Sequence, residues 1–266
     1  GLLQNEIDLL DKDAPNYYIN MGEAMGKYAI ETSMVKVFGS DCSHWVIDQG
    51  LQIFGGYGFL EEYPLAPAYR DDRINQIWEG TNEINRQIIT GFIMKKALTE
   101  ELPYREAIRE IDSFLSQKVD QDDHQLAKEC DTVETAKKIG LYLFNEALSE
   151  FAQDLKNEHQ IVEMLSDVFT DIYTAESTII RVKKIMDSDK PIASTVDIAK
   201  TFTTEMVDRV LANTHSILHA IYQGPAPADV NKKIKQFEER MRLANNVVQS
   251  KRNIADYVFD QKEYPY

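Results

Sequence analysis

Apolar residues recur at spacings of three and four along most of this chain, and this periodicity constrains its fold more than any other feature. The spacing is typical of one buried face of an α-helix, and the alternating β-branched runs of strands are absent. Beyond residue 104 the pattern continues in long stretches, and 192–222 alone would form a helix about 46 Å long. Long helices with short breaks favour an antiparallel bundle. We therefore predict an all-α fold.

The same pattern predicts the positions of the helices. We expect them at 15–38, 40–54, 81–97, 104–118, 131–157, 160–187, 192–222 and 228–260. Gly39 should end the first helix, and Ser40 or Asp41 should act as the N-cap of the second. We expect the acidic break at 120–124 to be a solvated linker.

Glycine is concentrated in the first third of the chain, where ten of the twelve glycines lie before residue 92. Residues 55–80 contain four glycines and two prolines, which predicts a loop with short helical pieces. A loop of this length within a helical protein is uncommon unless it has a function. We therefore expect functional residues in this stretch.

Composition excludes several classes of protein. The 266 residues carry a net charge of −15, which argues against a nucleic-acid binder. Cys42 and Cys130 form no CxxC pattern, so we expect neither a disulfide scaffold nor a cysteine zinc site, and a reducing compartment fits. There is no apolar run long enough to span a membrane and no basic signal-peptide region. The chain begins without methionine, so we expect a fragment of a larger protein.

Glu79 is the first candidate for chemistry. It follows Ile77-Trp78 and precedes Gly80-Thr81 at the expected start of a helix. The helix dipole favours its charged form and a poorly hydrated aromatic pocket disfavours it, so partial burial would prepare Glu79 to act as a base. Gly80 would allow a ligand to approach the backbone. The alternative, which spacing alone favours, is an acid in the first turn that stabilises the helix.

The second candidate is the segment QIFGGYGF at 52–59, whose three glycines would allow a tight turn beside a bulky group. It does not follow a strand, so it is not a βαβ dinucleotide fingerprint. In combination, this segment and YRDDRINQIWEGTNEINR at 69–86 resemble the C-terminal helical domain of FAD-dependent acyl-CoA dehydrogenases. The resemblance covers about residues 1–97. It implies a domain at 1–100 that carries the FAD and substrate motifs.

The remaining residues, 101–266, are similar only in layout to the helical C-terminal extension of the very-long-chain branch and of similar long bacterial enzymes, which implies the long- or very-long-chain type. The fold implied for the whole chain is therefore the helical-bundle C-terminal part of an acyl-CoA dehydrogenase plus a second antiparallel helical bundle. In that branch the extension is linked to dimeric assembly and, in mitochondrial members, to membrane association.

The resemblance implies that Glu79 is the catalytic base, which removes the α-proton of a fatty acyl-CoA while the β-hydrogen leaves as hydride to the flavin. The backbone N–H of Glu79 would help to hold the thioester carbonyl, and Trp78 and Gly80 would lie against substrate. Two groups of residues would bind FAD: Thr81, Asn82 and Glu83 at the helix start, and Gln52, Gly55 and Gly56 on the neighbouring subunit. A homodimer is therefore implied. Arg70, Asp71 and Arg73 would form a structural ion-pair network.

The implied reaction is the formation of trans-2-enoyl-CoA in fatty acid β-oxidation, with electrons passing to an electron-transfer flavoprotein in the cytoplasm, or in the mitochondrial matrix of a eukaryote. Gly91 occupies a position where some members have an arginine that meets CoA. The family's N-terminal helical domain and middle β-domain are not in this sequence, so we do not expect the chain alone to be active. The alternative function is a non-enzymatic helical assembly or membrane-docking module.

Two further features have ordinary explanations. His215 and His219 have a spacing that can hold zinc, but no HExxH glutamate or third ligand accompanies them, and we predict no metal. Residues 229–252 contain seven Lys/Arg and three Asp/Glu. We favour a helix that docks its apolar face on the bundle, and the alternative is peripheral membrane contact.

Overall fold

The computed structural model describes residues 2–117, 124–188, 192 and 194–261. Within these ranges the regular secondary structure is entirely helical, which confirms the all-α prediction. The chain divides into two compact units, Gly1–Leu102 and Pro103–Tyr266. None of the described helices is long and apolar enough to cross a membrane.

The first unit is built around one long helix. Its helices are α1 (Leu2–Asp8), α2 (Tyr17–Lys27), α3 (Ala29–Phe54), α4 (Gly56–Phe59), α5 (Leu65–Arg73) and α6 (Asn82–Leu98), with a 3-10 turn at Ile74–Gln76. The 26-residue α3 packs against both α5 and α6. The short helical pieces predicted between residues 55 and 80 are therefore present, and they carry the chain back to the start of α6.

Gly39 does not end a helix, and this prediction was wrong. The break falls at Tyr28 instead, and α3 continues through Gly39 and Ser40 to Phe54. The Ser40 hydroxyl donates to the backbone carbonyl of Lys36 at 2.9 Å, as it can only in a continuous helix. A helical glycine costs about 1 kcal/mol. Contacts of α3 with α6 on both sides of Gly39, Lys36 with Asn82 and Asp41 with Arg86, outweigh that cost.

The second unit is a helical bundle. Its helices are α7 (Tyr104–Arg109), α8 (Ile111–Ser116), α9 (Ala127–Phe151), α10 (His159–Met186), α11 (Ser194–Tyr222), α12 (Ala228–Met241) and α13 (Val247–Gln261), with a 3-10 segment at Ala152–Asn157. The three longest, α9, α10 and α11, pack pairwise on one another, α12 packs on α9, and α13 packs on α11. Short links make successive long helices antiparallel. The fully buried core includes Leu126, Ile139, Leu143, Phe144, Leu165, Met206, Ile217 and Phe237.

The helix predicted at 131–157 ends at Phe151, where the 3-10 segment begins, and two other helices predicted in this unit are broken. The stretch 104–118 divides at Glu110, and 228–260 divides over residues 242–246. Neither break contains glycine or proline. At the second break the Asn245 side-chain amide donates to Glu129 Oε1 at 3.0 Å and to Thr204 Oγ1 at 3.1 Å, so contacts with α9 and α11 hold it open. Most of the predicted linker at 120–124 lies outside the described residues.

The basic segment 229–252 begins with α12, whose apolar face is buried in the bundle at Val230, Ile234, Phe237 and Met241. Lys233 pairs with Asp112 at 2.7 Å, and Arg240 pairs with Asp131 at the same distance. These contacts agree with the favoured interpretation, a docked helix, while membrane contact stays a prediction. His215 lies 3.2 Å from Glu238.

Candidate active site

The chain makes a strained turn at Glu79 and Gly80, immediately before α6. Both residues have positive φ, +54° and +82° respectively. Thr81 is the N-cap of α6, and its hydroxyl accepts from the Ile84 backbone N–H at 3.3 Å. A non-glycine residue in the left-handed region costs about 1–3 kcal/mol and persists only where its surroundings hold it. Such residues concentrate at functional sites, which supports Glu79 as a candidate.

Two side chains hold this turn through a single backbone oxygen. The Gly80 carbonyl accepts from Lys36 Nζ at 2.9 Å and from Asn85 Nδ2 at 2.8 Å. Lys36 comes from α3 and Asn85 from the second turn of α6, so the turn is tied to both helices. A Cβ added to Gly80 would lie 3.1 Å from Asn85 Nδ2, which makes glycine the fitting residue.

A polar network extends from this turn into the unit. Asn82 is 3% exposed, and its side-chain amide donates to Ser40 Oγ at 2.9 Å and to Asp41 Oδ1 at 2.7 Å. Asp41 also accepts from Gln76 at 2.8 Å and pairs with Arg86 at 3.2 Å. These contacts fix the 3-10 turn and the start of α6 against α3. Because a buried polar group is costly without partners, the network specifies one arrangement.

Sequence reasoning missed Lys36, Asp41 and Asn85 as site residues. The one local signal at Lys36 is a single charge inside the apolar run MVKVF. Asp41 was interpreted as an N-cap, although it lies in the middle of α3. Asn85 had no local signal, because its role depends on the fold of the turn.

Glu79 and Trp78 are open to solvent in this unit, and Trp78 is 55% exposed. The partial burial expected for Glu79 is therefore not provided by residues 2–102. The alternative, that Glu79 is an acid of the first helical turn, was wrong. Glu79 precedes the N-cap, and Glu83 is the acid of the first turn. The backbone N–H of Glu83 and the Thr81 hydroxyl bind the Glu83 carboxylate and lower its pKa.

In the QIFGGYGF segment, the local backbone requires glycine at two positions, for different reasons. Gly55 has φ +58° at the end of α3, and a Cβ on Gly58 would lie 2.5 Å from the Leu51 carbonyl oxygen. Gly56 has open space around it, and Gln52 is exposed.

The structure brings Thr81, Asn82 and Glu83 together at the start of α6, beside the Glu79 turn. The second predicted group is remote from that turn. Gln52 lies sixteen residues beyond Lys36 on α3, which is roughly 24 Å along the helix. One molecule therefore does not bring the two predicted groups of FAD-binding residues into one pocket.

The YRDDR stretch contains a buried acid that we did not predict. Asp72 is 5% exposed, accepts from Ser43 Oγ at 2.5 Å and lies 3.4 Å from His44 Nδ1. Arg70 instead pairs with Glu61 on the surface, and Arg73 donates to the amide oxygen of Gln76. The expected ion-pair network among Arg70, Asp71 and Arg73 is thus replaced by separate contacts, and Asp72 supplies the anchor to α3.

A cavity of about 140 Å³ opens at the start of α6. It is lined by Asp41, Arg73, Gln76, Ile77, Thr81, Asn82, Glu83 and Arg86. Complete ligand pockets usually measure about 300–1,000 Å³. This cavity can therefore hold one edge of a large ligand, with both cationic and anionic side chains available. Among the described residues, no three His, Cys, Asp or Glu side chains cluster as metal ligands would.

Comparison with known proteins identifies both units. Residues 15–94 and 135–231 each match a family model described as "Acyl-CoA dehydrogenase, C-terminal domain". The chain is 32% identical over 249 residues to a Bacillus subtilis protein described as "Probable acyl-CoA dehydrogenase", covering 92% of this chain and 41% of that protein. It is 42% identical over 65 residues to cyclohexane-1-carbonyl-CoA dehydrogenase of Geobacter metallireducens, covering 24% of this chain and 17% of that enzyme.

A solved structure has the same fold along the whole chain. It is an acyl-CoA dehydrogenase complexed with FAD from Bacillus anthracis, with a TM-score of 0.91 and 30% identity, and the match covers all of this chain and 45% of that one. The chain thus spans less than half the length of these proteins. The acyl chain-length class stays a prediction. From the two family matches, the extended sequence identity and the shared fold, we conclude that this chain belongs to the acyl-CoA dehydrogenase family.

Proposed function

We propose that this chain is the C-terminal part of an FAD-dependent acyl-CoA dehydrogenase that converts a fatty acyl-CoA to trans-2-enoyl-CoA. Residues 1–100 would carry the site and 101–266 the helical extension. The observation that carries the proposal is the strained turn at Glu79 and Gly80, which lies within the matched residues 15–94. Strain of this kind persists only where the surrounding structure holds it, and here Lys36 and Asn85 hold the turn through the Gly80 carbonyl.

In this proposal Glu79 is the base that removes the substrate's α-proton. Its side chain is exposed in this unit, so a substrate held by the rest of the protein could reach it. The backbone N–H of Glu79 would donate to the thioester carbonyl and stabilise the negative charge that develops there. Trp78 and Gly80 would contact the acyl chain and the thioester.

The residues present fit an edge contact with FAD. Thr81, Asn82 and Glu83 border the cavity of about 140 Å³, where the first turn of α6 offers backbone N–H donors and Arg73 and Arg86 offer charge. The cofactor, when bound, accepts the hydride that leaves the β-carbon. Gln52, Gly55 and Gly56 would bind the FAD of a second subunit, and their distance along α3 from Lys36 supports a site shared within a homodimer.

The exposed apolar side chains of the first unit also support a larger protein. Trp45, Ile53, Phe59 and Trp78 are each more than half exposed. We propose that further parts of the enzyme cover them, that an electron-transfer flavoprotein accepts the electrons, and that the enzyme is cytoplasmic, as the bacterial origin of the reported relatives suggests. Fatty acid β-oxidation is the proposed pathway.

The test uses the full-length protein that contains this chain, purified with its FAD. Anaerobic addition of acyl-CoAs from short to very long chains should bleach the flavin and yield one trans-2-enoyl-CoA per flavin. The matched control is the product, trans-2-enoyl-CoA, which should leave the flavin oxidised. A protein that contains no FAD, or whose flavin no acyl-CoA reduces, would refute this function and favour the helical assembly module.

A further inference from the structure

Lys36 is a charged residue with neutral partners. It lies half-buried on α3, and its ammonium group donates to the Gly80 carbonyl at 2.9 Å and to Asn82 Oδ1 at 2.6 Å. Among the described residues, no carboxylate pairs with Lys36 within 4.0 Å. Partial burial of a lysine without an acidic partner carries a cost, and the two hydrogen bonds of Lys36 offset it.

Both contacts converge on the turn that carries Glu79. We propose that Lys36 is a positioning residue, which fixes the Glu79 carboxylate by holding the Gly80 carbonyl. This inference rests on the proposed function, in which Glu79 is the base.

The covalent geometry of the turn supports this role. The described chain has no cis peptide bonds, so each peptide is a trans plane. Anchoring the Gly80 oxygen therefore fixes the whole Gly80–Thr81 plane and directs the Thr81 N–H away from Lys36. Glu79 is joined to that plane through the φ and ψ angles of Gly80 alone, so a fixed plane limits the positions that Glu79 can occupy.

Asn85 holds the same oxygen from the opposite helix, at 2.8 Å. Two donors on different helices make the position of the Gly80 carbonyl depend on the packing of α3 against α6. Without Lys36, the Gly80 carbonyl loses its direct bond to α3, and Glu79 can relax from φ +54° toward negative φ. A displacement of about 1 Å at a catalytic group can lower a rate about 100-fold.

The experiment compares Lys36→Met with wild type in the full-length, FAD-containing protein. Stopped-flow flavin reduction under anaerobic conditions gives the rate constant per bound FAD and the substrate Kd separately. We expect the rate constant to fall about 100-fold, with Kd changed by less than about fivefold. A merely structural role would lower the melting temperature or FAD content and leave the rate constant per bound FAD unchanged, and that result would overturn the proposal.

Lys96→Met is the matched control. Lys96 Nζ also donates to a backbone carbonyl, that of Lys27 at 3.1 Å, and Lys96 lies at the far end of α6 from the turn. The control variant should keep the rate constant within about threefold of wild type. Lys36→Arg keeps donors at the site and should recover part of the lost rate.

Asn85→Leu keeps the proposal testable if Lys36→Met does not fold. It removes the other donor to the Gly80 carbonyl and should also lower the rate constant, and in the double variant the two losses should be non-additive because they act through one oxygen. Wild-type rates in Asn85→Leu, or simple additivity, would overturn the proposal. If no acyl-CoA reduces the flavin of the wild-type protein, the proposed function is refuted, and the role of Lys36 with it.

Discussion

The two units place their apolar side chains in opposite positions. Among the described residues, thirty of the thirty-five buried apolar side chains lie in the second unit, whereas nineteen of the twenty-three large exposed ones lie in the first. Burial of apolar surface is the dominant favourable contribution to folding. The second unit therefore closes its own core, and the first unit leaves much of its apolar surface uncovered.

The interior of the first unit is instead rich in polar contacts. Ser40, Asp72, Asn82 and Asn85 are all buried there, and their hydrogen bonds tie the 3-10 turn and α6 to α3. Residues 103–266 are thus organised for packing, whereas residues 1–102 are organised to position side chains. The glycines of the first unit's turns also serve to position the chain rather than to pack.

The two units should differ most when each is expressed on its own. We expect residues 103–266 alone to unfold cooperatively, because their core is internal. Residues 1–102 alone should unfold broadly and bind a hydrophobic dye, because their exposed apolar surface has no cover. Thermal melting by near-UV circular dichroism and dye fluorescence measure both. A cooperative first unit that binds no dye would contradict the contrast between the units.

A matched pair of phenylalanine substitutions sharpens the contrast. Phe237 on α12 is fully buried and Phe59 on α4 is 77% exposed. Phe237→Ala should lower the free energy of unfolding by about 3–5 kcal/mol, since it leaves a cavity. Phe59→Ala should change it by less than about 0.5 kcal/mol. Urea unfolding of the chain gives both values, and equal losses would show that Phe59 is covered.

Alanine substitutions at two adjacent glycines should give the smallest changes in stability. Gly55→Ala forces an alanine to φ +58° and should destabilise the first unit by about 1–3 kcal/mol. Gly56→Ala, at a helical position with nothing within 4 Å, should stabilise it by up to about 1 kcal/mol. Hydrogen exchange of the amides in α3 measures these local changes. Equal effects would mean that the backbone at Gly55 relaxes freely.

The helical conformation of most segments could be predicted from the sequence because it follows from local apolar spacing. The interruptions of helices could not, since they depend on contacts distant in sequence. Packing carried α3 through Gly39, and the contacts of Asn245 with Glu129 and Thr204 opened a break that contains no helix-breaking residue.

The candidate site could be predicted only in part, because some of its contacts also join residues distant in sequence. The motifs around Glu79 identified the turn and the start of α6. Lys36 is 44 positions from Gly80, so no local pattern could connect the two. Asp72 was missed because its burial depends on Ser43 and His44 on another helix.

The role of Glu79 as the base is measured by single-turnover flavin reduction in the Glu79→Gln variant of the full-length protein. Glutamine keeps the size of the side chain and removes the base, so FAD should stay bound while the rate constant falls at least about 100-fold and up to about 10⁴-fold. Glu62→Gln, an exposed acid outside the turn, should retain the wild-type rate. A near-normal rate in Glu79→Gln would contradict the account.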